Sequence, residues 1–243
     1  MELGTRGRIG LMVPSVNTVA EPEMNRMRPE GVTVHAARMF IPGDMTTLDA
    51  FVRMCEEGCQ NARRAVETLS TAKVDAYAFA FTAGSFFRGA GWDEEVAKGI
   101  ETHGHAPCVV TSTAAIHALR AYGIKRIAVA SPYAVGNGLL KEFLNQKGIE
   151  VVHMEGLTVS SAQEEGIQGI GAFRSLVERV DRPGAEAIFV SCTNFATIAA
   201  LDQLERSIGK PIISANQATF WAVLRKIGVQ DKLMGFGRLL RDH

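Results

Sequence analysis

The feature that most constrains this chain is that it repeats itself. "RIGLMVPS" (8–15) is similar to "RIAVASPY" (126–133), and "VDAYAFAFTAGS" (74–85) to "AEAIFVSCTNFA" (185–196). "PCVVTSTAAIHALRAYGI" (107–124) is similar to "PIISANQATFWAVLRKIGV" (211–229). The three pairs run in the same order, each offset by a little over one hundred residues. That period is far too long for a solenoid, whose repeats are roughly 20–50 residues. It points to a duplicated unit folded into two similar lobes.

Within each copy, short apolar runs alternate with amphipathic stretches. The runs 8–14, 32–39, 74–81, 107–111, 126–131, 150–154, 186–192 and 211–214 read as strands. Most are continuously apolar, as expected of strands covered on both faces. Segments 46–70, 113–122, 135–147, 165–180, 197–208 and 217–227 read as helices. The βαβα rhythm predicts an α/β protein with parallel sheets and helices on both sides.

Open parallel sheets bind ligands just beyond the carboxyl ends of their strands. In a two-lobed chain these ends can face one another across a cleft. The residues to inspect are therefore Pro14, Ser15, Asn17 and Thr18 after the first strand, and Phe81, Thr82, Ala83 and Ser85 after the third. Their counterparts in the second copy are Tyr133 and the run Cys192, Thr193, Asn194. These loops are rich in hydroxyls, amides and small residues, which suits an anionic ligand. The same residue types also cap helices. Cys192 ends a strand ahead of a helix, where a thiol can serve as a thiolate or as a proton donor, its pKa lowered by the helix N-terminus. The bland alternative is a small buried side chain. A phenol at Tyr133 can hydrogen-bond a carboxylate or stabilise an enolate.

Other chemistries find little support. The chain has 26 Lys and Arg against 26 Asp and Glu, with no basic stripe. Nucleic acid and membrane surfaces are therefore not expected partners. No apolar run is long enough for a transmembrane helix and no signal-peptide pattern opens the chain, so a cytoplasmic protein is expected. Cys55, Cys59, Cys108 and Cys192 are expected to be free thiols. Cys55 and Cys59 are four apart on one helix face, and they lack neighbours at metal-ligand spacing. No dinucleotide or phosphate-loop glycine pattern is present. His103 and His105 read as surface residues, Cys108 as core, and Glu94-Glu95 as the first turn of a solvated helix. No metal and no cofactor are expected.

Taken together, "VPSVNT" (13–18), "FTAGSFFRGAG" (81–91), "SPY" (131–133), "VSCTN" (190–194), "SANQATFW" (214–221) and "GFGRLL" (235–240) resemble the maleate cis–trans isomerase and arylmalonate decarboxylase branch of the aspartate/glutamate racemase superfamily. The resemblance runs from about residue 8 to residue 241. It implies two Rossmann-like lobes related by a pseudo-twofold axis, with a cofactor-free site between them. Residues 1–110 plus 214–243 are expected to form the first lobe and 111–213 the second. By motif, Cys192 matches the second-lobe cysteine, Tyr133 a carboxylate-binding tyrosine, Thr82 a first-lobe hydroxyl, and Asn17 the carboxylate-binding asparagine of the isomerases. The first-lobe cysteine of racemases and isomerases is replaced by Phe81, the counterpart of Cys192 in the internal repeat.

The resemblance thus implies an enzyme acting on a small carboxylate through a carbanion- or enolate-like intermediate. A malonate-type decarboxylase with Cys192 as proton donor is the first expectation. An isomerase or racemase pairing Cys192 with a non-cysteine group is the second. A catalytically weak carboxylate-binding protein is a third, and a homo-oligomer is left open.

Overall fold

The computed structural model describes residues 3–243. The first sheet contains β1 (Gly7–Pro14), β2 (Val32–Met39), β3 (Ala76–Phe79) and β4 (Cys108–Val110), all parallel, in the order β2-β1-β3-β4. The second contains β5 (Arg126–Ser131), β6 (Glu150–Gly156), β7 (Ala187–Val190) and β8 (Ile212–Ser214), also parallel, in the order β6-β5-β7-β8. The two orders are the same once the second is renumbered from its own start, so the sequence repeat is a repeat of topology. β3 and β7 are buried at every position. Their runs Ala-Tyr-Ala-Phe and Ala-Ile-Phe-Val are apolar without alternation because helices cover both faces.

In chain order the helices are α1 (Ala20–Met27), α2 (Leu48–Gln60), α3 (Ala62–Ser70), α4 (Thr82–Phe86), α5 (Trp92–Gly104) and α6 (Thr111–Ala121). The second half adds α7 (Asn137–Gln146), α8 (Ala162–Gly166), α9 (Ile170–Val180), α10 (Ile198–Ile208), α11 (Ala215–Lys226) and α12 (Arg238–Asp242). Two expected helices are divided. The 46–70 segment breaks at Asn61, whose side-chain amide donates to the carbonyls of Glu57 and Phe40, at 2.9 and 3.1 Å. Such side-chain bonds compete with the helix ladder and here tie the break to the loop after β2. The 165–180 segment becomes the short α8 and the longer α9, separated by a turn that ends at Gly169. The strand expected over 74–81 is shorter, because Ala80 and Phe81 leave the ladder and turn into α4.

Buried polar contacts bind the halves together. Glu23 on α1 accepts from the backbone N–H groups of Thr197 and Ile198, at 2.6 and 2.8 Å, and so caps α10 of the other half. Asn216 on α11 donates to the same carboxylate at 2.8 Å and to the Thr193 carbonyl at 3.0 Å. The final helices return to the first sheet: α11 packs on α6, β3 and β4. Thr219 on α11 lies 2.9 Å from the Thr111 hydroxyl, which in turn donates to the Phe79 carbonyl on β3. The "GFGRLL" tail closes the fold, with Gln217 donating to the Phe236 carbonyl and Leu239 and Leu240 fully buried. Much of the "SANQATFW" motif is therefore occupied in holding the halves in register.

Cys108 lies in the core and His103 and His105 at the surface, as their sequence contexts indicate. Glu94 and Glu95 sit in the first turn of α5. All four cysteines are free. Among the described residues, no helix is long and apolar enough to cross a membrane, and no cluster of three or more His, Cys, Asp or Glu is arranged to hold a metal.

Candidate active site

In each sheet the chain leaves the central strand in one direction and later returns on its other side. β1 and β3 flank this reversal in the first sheet, and β5 and β7 in the second. The carboxyl ends of strands at such a switch point leave a crevice that no crossover fills. Here the two crevices face each other. The cavity between them is lined by sixteen residues. Pro14, Val16 and Asn17 follow β1, and Phe81, Thr82 and Ala83 follow β3. Tyr133 follows β5, and Cys192, Thr193 and Asn194 follow β7.

The remaining walls come from segments that clasp each other over the cavity. The loop after β2 supplies Ile41 and Met45, and the loop and helix after β6 supply Ala162 and Glu165. Asp44 and Ser161 form an isolated antiparallel bridge. Met45 donates to the Ser160 carbonyl at 3.0 Å, and Ala162 to the Gly43 carbonyl at 2.8 Å. Phe51 and Met54 of α2 complete the apolar wall.

Cys192 is buried and its backbone is held at φ 99°, a region that residues with a Cβ avoid. Strain of this kind costs about 1–3 kcal/mol and persists only where the surroundings impose it. The Asn194 N–H donates to Sγ at 3.2 Å, and Sγ donates to Oε2 of Glu165 at 3.2 Å. Burial, followed by the Glu165 charge, pushes the thiol well above its usual pKa. The sequence-based expectation of a pKa lowered by a helix N-terminus is therefore overturned. α10 does not begin until Ile198, after an irregular turn, so its N-terminus does not directly follow Cys192. The thiol is held in its neutral, protonated form.

Glu165 was not legible in the sequence. It sits in the first turn of α8 beside Glu164, behind the Ser161 cap, and such acidic pairs usually face solvent. Glu164 behaves that way, accepting from the Ser160 backbone and hydroxyl. Glu165 turns inward, and burial raises its pKa to about 8. The apolar wall (Ile41, Met45, Phe51, Met54) was likewise missed, because its loops carry no period that marks which side chains face in.

Tyr133 is buried, and its hydroxyl shares a 2.7 Å hydrogen bond with Ser191. Burial raises this phenol's pKa well above the usual value, so it stays protonated and able to donate. Thr82 Oγ1 is buried and has no protein partner. A hydroxyl left so costs about 1–3 kcal/mol, unless a ligand oxygen takes the bond. Asn17 spans the lobes: its Oδ1 accepts from the Val19 and Ala20 N–H groups, and its Nδ2 donates to Thr193 Oγ1 at 3.1 Å. The Thr193 hydroxyl in turn donates to the Ala80 carbonyl at 2.8 Å. Asn194 accepts from the Thr18 N–H and donates to the Ala162 carbonyl.

Three of the residues expected at the strand ends, Ser15, Thr18 and Ser85, do not line the cavity. Ser15 Oγ accepts from the Ile41 N–H at 3.2 Å and pins the loop after β2. Ser85 donates to the Thr82 carbonyl at 2.7 Å and contacts Ser112 at the base of α6. Both hydroxyls hold backbone in place behind the site.

Phe81 occupies the position equivalent to Cys192, each two residues past the last residue of its strand. Glycines make room for its ring. A Cβ on Gly84 would stand 2.4 Å from the ring, and one on Gly58 2.5 Å. Consequently every titratable residue lining the cavity (Tyr133, Glu165, Cys192) comes from the second half, while the first half contributes none. No Lys, Arg or His lines it. A bound carboxylate would rely on hydroxyl and amide donors.

The family model described as arylmalonate decarboxylase matches residues 9–240. A maleate isomerase of Geobacillus stearothermophilus is 28% identical, with 96% of each chain covered. The arylmalonate decarboxylase of Bordetella bronchiseptica is 25% identical, covering 94% of this chain and 97% of its own. The solved maleate isomerase Iso of Pseudomonas putida S16 superposes with a TM-score of 0.88 at 26% identity, covering 97% of this chain and 98% of its own.

Proposed function

Since this chain belongs to the arylmalonate decarboxylase family and is a lyase or isomerase of that family, we propose that it is a decarboxylase-like lyase acting on a small malonate-type dicarboxylate, with Cys192 as proton donor. The observation that carries this reading is the one-sidedness of the cavity. Racemisation by two bases needs proton carriers on opposite faces of the substrate. Here Phe81 takes the position that mirrors the thiol, every titratable group lining the cavity comes from the second half, and Glu165 is in hydrogen-bond contact with the thiol itself. Two groups in contact cannot lie on opposite faces of a molecule held between the lobes. A one-sided site is sufficient for decarboxylation, which needs a single protonation.

In this reading the spared carboxylate is held by the Thr82 hydroxyl, the Tyr133 hydroxyl and the second N–H of the Asn17 amide. These donors meet the charge that grows on its oxygens as the enediolate forms. The leaving carboxylate lies against Val16, Ile41, Met45, Phe51 and Phe81, where no donor or cation stabilises it. The carbon–carbon bond breaks, carbon dioxide departs, and the electron pair passes into the enediolate. The Cys192 proton then goes to the α-carbon, leaving a thiolate.

The maleate isomerases among the relatives make cis–trans isomerisation the second reading. Family membership disfavours the third expectation, a mere carboxylate-binding protein. The test is one protein preparation assayed side by side for carbon dioxide release from phenylmalonate, conversion of maleate to fumarate, and racemisation of aspartate and glutamate. Carbon dioxide release supports the proposal. Fumarate formation without any release would replace it by the isomerase reading.

A further inference from the structure

Among the described residues four carboxylates are buried, and three of them are held by several donors. Glu23 accepts from Thr197, Ile198 and Asn216. Asp93 meets Lys147, Thr113 and the Gly91 N–H. Glu205 caps the backbone at Ile212 and Arg238. A buried acid with a structural task is expected to be satisfied in this way, since an unpaired one is costly. Glu165 breaks the pattern. Among the described residues the one side-chain hydrogen-bond partner of its carboxyl is the Cys192 thiol, and both groups line the cavity.

We propose that Glu165 is the proton reservoir of the site: it acts through Cys192, returning a proton to the thiolate that each turnover leaves behind. The inference rests on the reading of Cys192 as proton donor. The steps balance. Cys192 gives its proton to the α-carbon and becomes a thiolate. The neutral Glu165 carboxyl, 3.2 Å away, transfers its proton to Sγ and becomes a carboxylate. Water reprotonates that carboxylate when the Asp44–Ser161 clasp opens and the product leaves. Burial favours the neutral form of Glu165, against the hydrogen bond from Cys192, which favours the carboxylate. Cys192, Tyr133 from the end of β5 and Cys55 from α2 are all proton-bearing acids, and no cation lines the cavity. With its pKa raised to about 8 by burial, the carboxyl holds its proton at neutral pH.

The variant is Glu165→Gln, which keeps size and shape, with folding checked by circular dichroism. Glu165→Met is the second variant if the first does not fold. Two readouts separate this proposal from the decarboxylase reading. The first needs no substrate: iodoacetamide labelling of Cys192 against pH, followed peptide by peptide so that the other three thiols do not interfere. Above the Glu165 transition near 8, the wild-type carboxylate suppresses thiolate formation. Cys192 in Glu165→Gln should therefore label at least about fivefold faster there. Superimposable profiles would overturn the coupling.

The second readout is pre-steady-state carbon dioxide release from phenylmalonate. Glu165→Gln should give a burst of one equivalent per site at the wild-type rate, then a steady state slowed by at least about tenfold. The wild type should show no burst. A burst-free variant, or one slowed equally in both phases, would contradict the reservoir role. If neither protein decarboxylates, the decarboxylase reading fails and the reservoir role with it, and the labelling profiles alone then decide whether Glu165 and Cys192 are coupled.

Discussion

Phe81 and Cys192 stand at the same place in the two halves, each two residues beyond the third strand of its sheet, and face the same cavity. One is a ring seated over two glycines, the other a thiol at a strained φ of 99°. The duplication built a symmetric scaffold, and the chemistry occupies one side of it.

The strain at Cys192 gives a direct expectation. Replacing an ordinary residue by glycine usually costs stability, because glycine gains more freedom on unfolding. At a positive φ the balance reverses, since glycine alone adopts it without steric penalty. Cys192→Gly should be at least as stable as Cys192→Ala in urea melts. An alanine variant more stable by about 1 kcal/mol, the ordinary preference, would show that the backbone at residue 192 is not strained.

Phe81→Cys places a thiol at the mirrored position. It should let protons reach the second face of a bound intermediate. If a prochiral malonate gives one enantiomer with the wild type, product from the variant should lose enantiomeric excess. The cavity left by the ring should lower stability by about 2–4 kcal/mol. Chiral chromatography of the product checks this, and unchanged enantiomeric excess in a folded variant would show that position 81 does not reach the reacting carbon.

Glu165 ties the site to stability. Its carboxyl titrates near 8 when folded, against 4.5 for its ordinary value. Between those values the folded protein keeps a proton that the unfolded chain has lost. The contribution is complete below the unfolded pKa and is lost as pH rises through the folded one, with a slope near 1.4 kcal/mol per pH unit. Glu165→Gln lacks this titration, so its stability relative to wild type should rise by about 2–5 kcal/mol from about pH 5 to about pH 8. Glu23 and Glu205, also raised by burial, are common to both proteins and cancel. A difference independent of pH would place the Glu165 carboxyl in water.

Gly43 holds the clasp. It lies at φ 84°, and a Cβ there would meet the Gln163 side chain at 2.6 Å. Gly43→Ala should loosen the bridge between Asp44 and Ser161. Hydrogen exchange at the Met45 and Ala162 amides should accelerate, and KM should rise more than kcat falls. Unchanged exchange at both amides would show that the clasp does not depend on this residue.

Most of the scaffold was legible in the sequence, for a physical reason. Strands covered on both faces must be continuously apolar, and the duplication displays each of the pairs in "RIGLMVPS" and "VDAYAFAF" twice. The strand-end rule then led to Cys192, Tyr133, Thr82 and Asn17, because position along a buried strand fixes where the next residues emerge. It was less selective among hydroxyls: Ser15 and Ser85 emerge at the same ends yet turn back to bind backbone. Glu165 and Met45 escaped notice because the short helix α8 and the loop after β2 that carry them belong to opposing halves and take their orientation from the clasp between them. Such a contact, over a hundred residues apart in the chain, leaves no periodic trace.

The most direct test is the turnover of Cys192→Ala on whichever substrate the side-by-side assay identifies, with circular dichroism confirming the fold. The change removes only a sulfur, so the scaffold should survive. The expected result is a folded protein with turnover lowered at least ~100-fold, the lower end for loss of a positioned proton-transfer group. A folded Cys192→Ala protein with wild-type turnover would contradict Cys192 as the proton donor and the one-sided mechanism built on it.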